Sequence, residues 1–297
     1  MTLGRRPDDD DASGPGCAFY GRAMQVTGSV NPRRSDAHAD DPLGLFRLQD
    51  KTAIVTGASS GLGVRFARVL HGVGANVVVT ARRAERLADL ADELNAARPN
   101  SVLSVTADVA LEADRERVAS QAIDTFGGID VLVNNAGIGG KVAIEDESLD
   151  LFRRAMEVNV TALWHLAKLS APTMIAAGEG SIINVASMLG HVASAPVKQA
   201  HYSASKGAVI NLTRELAVQW GRKGVRVNSL CPGWFPSEMT EGMETDAGSQ
   251  QFVKANTPIP RMGYEHELDG ALLLLASSAG SFITGQSIIV DGGWTAR

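Results

Sequence analysis

Seven short β-branched runs, at residues 53–55, 77–79, 102–105, 131–133, 182–185, 225–230 and 288–290, recur between segments with helical periodicity. This alternation constrains the fold more than any other feature of the chain. The runs are apolar at successive positions, so both faces of each strand need cover, and a mostly parallel sheet between two helical layers supplies it. Helices are expected at 83–97, where Leu87, Leu90 and Leu94 share a face, and at 114–126, 149–177 and 203–220. With no repeat and no internal linker, the pattern predicts one α/β domain over residues 46–297, doubly wound around a seven-stranded, mostly parallel sheet.

Residues 1–45 break the pattern. Asp8-Asp9-Asp10-Asp11, scattered Gly and Pro, and Arg33-Arg34 carry no apolar periodicity, which predicts a disordered extension. It lacks the apolar stretch of a secretory signal and is too acidic for a mitochondrial transit peptide, while Met24 offers an alternative start. A net charge of −5 argues against a nucleic-acid partner. The apolar run at 271–276 is far shorter than the roughly 20 residues that cross a bilayer, so no membrane partner is expected either. Cys17 lies in the extension and Cys231 at a predicted strand end. Neither a disulfide nor a metal site is expected from them, which fits a reducing cytoplasm.

Where the first run ends, Thr56-Gly57-Ala58-Ser59-Ser60-Gly61-Leu62-Gly63 leads into a helix carrying Val64, Ala67 and Leu70. Such a turn places backbone N–H groups and a helix N-terminus where a dinucleotide pyrophosphate would rest. Glycines alone make only a turn; after a strand and before a helix they point to phosphate. Further along, Tyr202 and Lys206 stand four residues apart, on one face if the segment is helical. An ammonium beside a phenol favours the phenolate and lowers a pKa ordinarily about 10. The result is a group that exchanges a proton near neutrality, as reversible alcohol oxidation requires.

Taken together, these segments resemble the short-chain dehydrogenase/reductase family, including its 3-oxoacyl-(acyl-carrier-protein) reductase-like and gluconate or glucose dehydrogenase-like members. The glycine turn, Asp108-Val109, Asn134-Asn135-Ala136-Gly137, Val158-Asn159, Ser187, Pro232-Gly233 and Val290-Asp291-Gly292-Gly293 follow in the family's order across residues 46–294. The resemblance implies a Rossmann-type fold and a nicotinamide cofactor. Gly57, Ser59, Ser60, Gly61, Leu62 and Gly63 would hold its pyrophosphate, and Asp108 and Val109 its adenine. Asn135, Ala136 and Gly137 would line the adenosine side, Pro232 and Gly233 after the sixth run would also bind the cofactor, and Tyr202 and Lys206 would do so with Lys206 at the nicotinamide ribose. Ser237 stands where many members carry Thr against the nicotinamide carboxamide, and serine keeps the hydroxyl. For catalysis the family implies Tyr202 as acid/base at the substrate oxygen, Lys206 lowering its pKa, Ser187 positioning the oxygen, and Asn159 anchoring a water beside Lys206. Hydride would pass directly between nicotinamide and carbonyl carbon. A homotetramer or homodimer built on the helices at 149–177 and 203–220 is implied as well.

Cofactor choice turns on the end of the second run, Val79-Thr80-Ala81-Arg82-Arg83. NAD-preferring members typically carry a carboxylate there for the ribose 2′-hydroxyl, which would repel a 2′-phosphate. This chain has Ala81 instead, and a guanidinium pairs well with phosphate. The expectation is NADP(H), with Arg82 as the main contact and Arg83 or Thr80 assisting, and NAD(H) as the alternative. On the substrate side, Met188, Leu189, Val192, Trp234, Phe235, Met239 and Met243 predict an apolar cleft, with His191 and His201 as polar exceptions. Glu238, Glu241, Glu244 and Asp246 make the following flap acidic, which disfavours anionic substrates if they face the site. Arg153, Arg154 and Lys168 read either as a docking patch for an acidic carrier protein or as solvated charges. The reading is a cytoplasmic NADP(H)-dependent oxidoreductase that interconverts a small-molecule secondary alcohol and its ketone. Its competitors are a non-catalytic dinucleotide sensor and an NAD-dependent sugar or polyol dehydrogenase. An epimerase of the extended branch is disfavoured, because no second substrate domain follows the sixth run.

Overall fold

The computed structural model describes residues 41–194 and 196–296. Residues 1–40 of the expected extension, Cys17 among them, lie outside the described residues. Its last five residues belong to the unit that begins at Asp41. The Asp41 carboxylate accepts from Gly44 N at 2.9 Å, and the Leu45 carbonyl accepts from Ser278 Oγ at 2.9 Å.

The seven expected runs are all strands: β1 Thr52–Thr56, β2 Asn76–Ala81, β3 Val102–Thr106, β4 Val131–Asn134, β5 Gly180–Val185, β6 Val225–Pro232 and β7 Ser287–Val290. They form one sheet in the order β3-β2-β1-β4-β5-β6-β7, and every pairing is parallel. The helices are α1 Gly61–Gly72, α2 Ala84–Ala97, α3 Glu112–Phe126, α4 Leu149–Met156, α5 Ala162–Ala177, α6 Ala200–Trp220, α7 Ala247–Asn256 and α8 Asp269–Ala276. Successive strand residues face opposite layers. Val55 and Val133 pack with Phe66, Leu87 and Leu272 from α1, α2 and α8, whereas Ile54 and Leu132 pack with Val118, Leu166 and Leu216 from α3, α5 and α6. That two-sided cover is the reason the runs are continuously apolar.

The expected helix at 149–177 is interrupted. A π-turn over Glu157–Thr161 separates α4 from α5 and carries the buried Asn159. No proline or glycine marks it; widened turns of this kind collect at functional sites. The other departure is that α6 starts at Ala200, which puts Tyr202 in its first turn.

A buried chain of hydrogen bonds sets the position of α6. Asn134 Nδ2 donates to Asn184 Oδ1 at 3.0 Å, Asn184 Nδ2 donates to Thr213 Oγ1 at 3.0 Å, and Thr213 Oγ1 donates to the Val209 carbonyl at 2.8 Å. Two strands and the helix that carries Tyr202 are thereby joined through groups that would be costly to leave unpaired. Asn184→Ala is expected to lower stability by about 2–3 kcal/mol. Urea unfolding should show it as a lower midpoint at unchanged slope; a loss below about 0.5 kcal/mol would mean that the chain of bonds does not hold α6.

Candidate active site

A cleft of about 720 Å³ opens at the carboxyl ends of the strands. It lies where β1 and β4 are neighbours and their outgoing connections part to opposite faces, the usual place for ligands in such sheets. Two side chains secure this point. Thr56 Oγ1 accepts from Asn135 N and Ala136 N, both at 2.9 Å, while Asn135 Nδ2 donates to the Thr56 carbonyl at 2.9 Å. The glycines of the turn are dictated by space: Gly57 has φ +68°, and a Cβ at Gly63 would lie 2.2 Å from the Gly57 carbonyl oxygen. No side chain caps α1, whose N-terminal N–H groups are therefore available to an anion. The turn fits a dinucleotide pyrophosphate on these grounds. Gly57, Ser59–Gly63, Arg82, Asp108, Val109, Asn135, Ala136, Gly137, Pro232, Gly233 and Ser237 all line this one cleft.

Ser187, Tyr202 and Lys206 line it too. Ser187 follows β5 and accepts from Leu189 N at 3.1 Å. Lys206 is buried, donates from Nζ to the Val185 carbonyl at 2.7 Å, and has its ammonium 5.6 Å from the centre of the Tyr202 ring. Burial depresses the Lys206 pKa to about 8. The Tyr202 pKa is raised rather than lowered, because burial of the phenol outweighs its hydrogen bond with Ser187. The expected effect of Lys206 on the phenol is thus not expressed by this chain's residues alone. The ammonium is committed to a backbone carbonyl.

Asn159 stands behind the cleft. Its Oδ1 accepts from Ile138 N at 2.8 Å, and its Nδ2 donates to the Ile138 carbonyl and to Ser205 Oγ, both at 2.9 Å. Ser205 Oγ in turn donates to the Tyr202 carbonyl at 2.7 Å. The amide ties the wall after β4 to the helix turn between Tyr202 and Lys206.

The two arginines after β2 are set differently. Arg83 Nη2 donates to Ser59 Oγ at 2.9 Å and to Ser60 Oγ at 2.8 Å, so its guanidinium is built into the glycine turn. Arg82 is exposed at the cleft wall. Thr80 is fully buried and donates to the Val105 carbonyl at 2.7 Å, which removes it from the cofactor contacts. Adjacent arginines look alike in sequence; only the fold reveals which one turns toward the serines.

Of the residues expected on the substrate side, Met188, Leu189, Trp234, Phe235, Met239 and Met243 line the cleft, and Val192 and His191 do not. Val192 packs against the cluster of Met188, Leu189 and Trp294. His191 turns toward the buried Cys231, with Nε2 3.6 Å from Sγ. His201 is buried and pairs with Glu147 at 3.0 Å. Two polar residues that the sequence did not single out, Lys141 and Gln199, also line the cleft, brought there by pairing of Val142 with Gln199. Among the acidic flap residues, Asp246 caps α7 by accepting from Ser249 N at 2.6 Å, and Glu238 pairs with Arg83 and Arg86. Arg154 lines the cleft, Lys168 lies 5.4 Å from the Trp164 ring centre, and Arg153 sits 3.7 Å from Asp150. Ligand atoms of Glu112, Glu116 and His165 come within 4.8 Å of one another, but Arg115 Nε donates to His165 Nδ1 at 3.1 Å, setting a guanidinium beside that group.

The profile of the enoyl-(acyl carrier protein) reductase family matches residues 57–295. Gluconate 5-dehydrogenase of Gluconobacter oxydans is 38% identical over 251 residues, 84% of this chain and 97% of that protein. Cis-4-hydroxycyclohexanecarboxylate dehydrogenase of Sinomonas cyclohexanicum is 38% identical over 248 residues, 83% of this chain and 97% of that protein. A crystal structure of a gluconate 5-dehydrogenase from Burkholderia cenocepacia in complex with NADP and tartrate is 35% identical. It aligns with a TM-score of 0.81 over 86% of this chain and 99% of that one. The chain belongs to the short-chain dehydrogenase/reductase family. It is an NAD(P)-dependent oxidoreductase acting on CH–OH groups, and the dinucleotide-sensor alternative is not favoured.

Burial of Lys206 carries a stability signature. Its pKa falls from 10.5 to about 8 on folding, so between those values the unfolded chain binds more protons and stability rises with pH. Lys206→Met is expected to be more stable than the wild type at pH 7, by on the order of 1–3 kcal/mol. The gap should narrow as the pH is raised from about 8 towards 10.5. Urea melts across that range measure it, and a gap that does not change with pH would mean that Lys206 is not held in this way.

Proposed function

We propose that the protein is NADP(H)-dependent and interconverts a secondary alcohol that carries a carboxylate with the corresponding ketone. The observation that carries the chemistry is the convergence of Ser187, Tyr202 and Lys206 on one cleft with the glycine turn. For cofactor choice, support comes from Ala81 in place of an acid and from the Arg83 guanidinium fixed beside Ser59 and Ser60. When bound, the cofactor accepts or supplies the hydride. The Ser187 hydroxyl donates to the substrate oxygen and positions it. Tyr202 gives that oxygen its proton in reduction and takes it back in oxidation. Lys206 supplies the positive charge that favours the phenolate, aided by the placement of Tyr202 in the first turn of α6, at the positive end of the helix dipole. Asn159 acts as a positioning residue, holding Ile138 and Ser205.

The substrate class follows from the cleft wall. Met188, Leu189, Met239 and Met243 suit an apolar body, and Lys141 supplies a cation for a carboxylate. Two relatives are named for hydroxy acids, gluconate and cis-4-hydroxycyclohexanecarboxylate. Self-association as a homotetramer or homodimer is proposed through α4–α6, where Leu149, Phe152, Trp164 and Val218 are exposed. A cytoplasmic location is proposed on the free thiol of Cys231. Among the described residues no helix is long and apolar enough to cross a membrane.

Oxidation of gluconate, cis-4-hydroxycyclohexanecarboxylate and a neutral polyol, each with NADP and with NAD, tests the assignment. Tyr202→Phe should lower kcat by about 10³-fold while NADPH binding stays within about threefold. Lys141→Ala should raise KM for the hydroxy acids by about tenfold and leave the neutral polyol unaffected. Full turnover by Tyr202→Phe would overturn the mechanism, and a uniform effect of Lys141→Ala would overturn the carboxylate assignment.

A further inference from the structure

The flap after β6 is fastened to the cofactor end of the cleft. The Glu238 carboxylate grips the Arg83 guanidinium with both oxygens, Nη1–Oε1 at 2.5 Å and Nη2–Oε2 at 3.1 Å, and reaches Arg86 Nη1 at 3.1 Å. The same guanidinium is held from behind by Ser59 and Ser60. Its Arg83 bond, chiefly, together with a hydrogen bond from Ser60, keeps the Glu238 carboxyl below its ordinary pKa. One residue earlier, Ser237 lies across the glycine turn: a Cβ on Gly61 would meet Ser237 Cα at 3.5 Å. One residue later, the Met239 sulfur and the Tyr202 ring border the same glycine, lying 3.4 Å and 3.2 Å from where a Cβ on Gly139 would be. A carboxylate from the flap therefore occupies the donors that a phosphate would use, on a segment that also touches the catalytic tyrosine's surroundings.

We propose that Glu238 is a specificity latch, an internal carboxylate that the 2′-phosphate of NADP(H) must displace from Arg83 and Arg86, releasing the flap, whereas NAD(H) leaves the latch closed. This rests on the NADP(H) reading above and deepens it. A carboxylate and a phosphate are alternative partners for a guanidinium fork, both bidentate, and both cannot occupy it at once. All three latch side chains are substantially exposed, at 40%, 56% and 53% for Arg83, Arg86 and Glu238, so exchange with a solvent-borne anion needs no unfolding. Removing the latch should therefore help NADP(H) and be nearly silent for NAD(H). Discrimination would then depend on a residue some 155 positions from the end of β2, where sequence rules look for it.

Calorimetric titration of the full chain with adenosine 2′,5′-bisphosphate and with ADP separates the terms. Glu238→Gln is expected to tighten the bisphosphate by about five- to twentyfold and to change ADP by less than about twofold. In Arg83→Ala the bisphosphate should weaken, and Glu238→Gln added to it should bring a smaller gain than in the wild type, because only Arg86 remains to be freed. If Arg83→Ala weakens the bisphosphate but Glu238→Gln does not tighten it, the latch is wrong and the NADP(H) reading stands. If the wild type binds the bisphosphate no better than ADP and Arg83→Ala changes nothing, the NADP(H) reading fails and takes the latch with it. Hydrogen exchange gives a second readout: in the wild type the bisphosphate, unlike ADP, should speed exchange of the amides at 238–246. Equal protection with both ligands would overturn flap release.

Discussion

Everything in this molecule depends on a sheet whose strands all run the same way. Parallel pairing sends every carboxyl end to one edge, and the order with β1 beside β4 makes the connections part there. The opening exposes backbone that no longer has a ladder partner. Thr56 and Asn135 take over at that point, each satisfying main-chain groups of the other's strand. This clasp keeps the glycine turn and the wall after β4 at a fixed separation, and the cleft between them is a consequence.

The second requirement is a lysine placed where it is uncomfortable. Lys206 is buried with the Val185 carbonyl as its hydrogen-bond partner, and that burial depresses its pKa. The Asn134–Asn184–Thr213 chain holds α6 firmly enough to impose it, and Asn159 secures the same helix from the opposite wall. The surrounding polar network supplies the rigidity that this placement requires. Burial raises the Tyr202 pKa in this arrangement, and the hydrogen bond with Ser187 works against that shift.

The two ends of the cleft are not independent. Residues 237–239 lie against the glycine turn, the arginine pair and the surroundings of Tyr202 in succession. In the proposed latch, an anion exchanged at Arg83 would act on the surroundings of Tyr202 through these three consecutive residues. The ion pairs of Glu238 with Arg83 and Arg86 are exposed, whereas Phe235 and Met243 anchor the same segment by burial.

Periodicity is a local property, and it was enough to locate all seven strands and most of the helices. The glycine turn and the Tyr202–Lys206 spacing were legible as short patterns attached to a strand end or a helix, whereas Ser187 and the Asn135 segment were marked by resemblance to the family. The π-turn at Asn159 was not, because an inserted residue in a helix carries no compositional mark. Nor were the different settings of Arg82 and Arg83, the burial of Thr80, or the arrival of Lys141 and Gln199 at the wall. These depend on which way a side chain turns and on pairings such as Arg83 with Glu238, between residues 155 positions apart. The sequence by itself determined the sheet, its double cover and the chemical groups available. The tertiary structure alone decided which of those groups meet, because partners distant along the chain are selected by packing and electrostatics that no local pattern encodes.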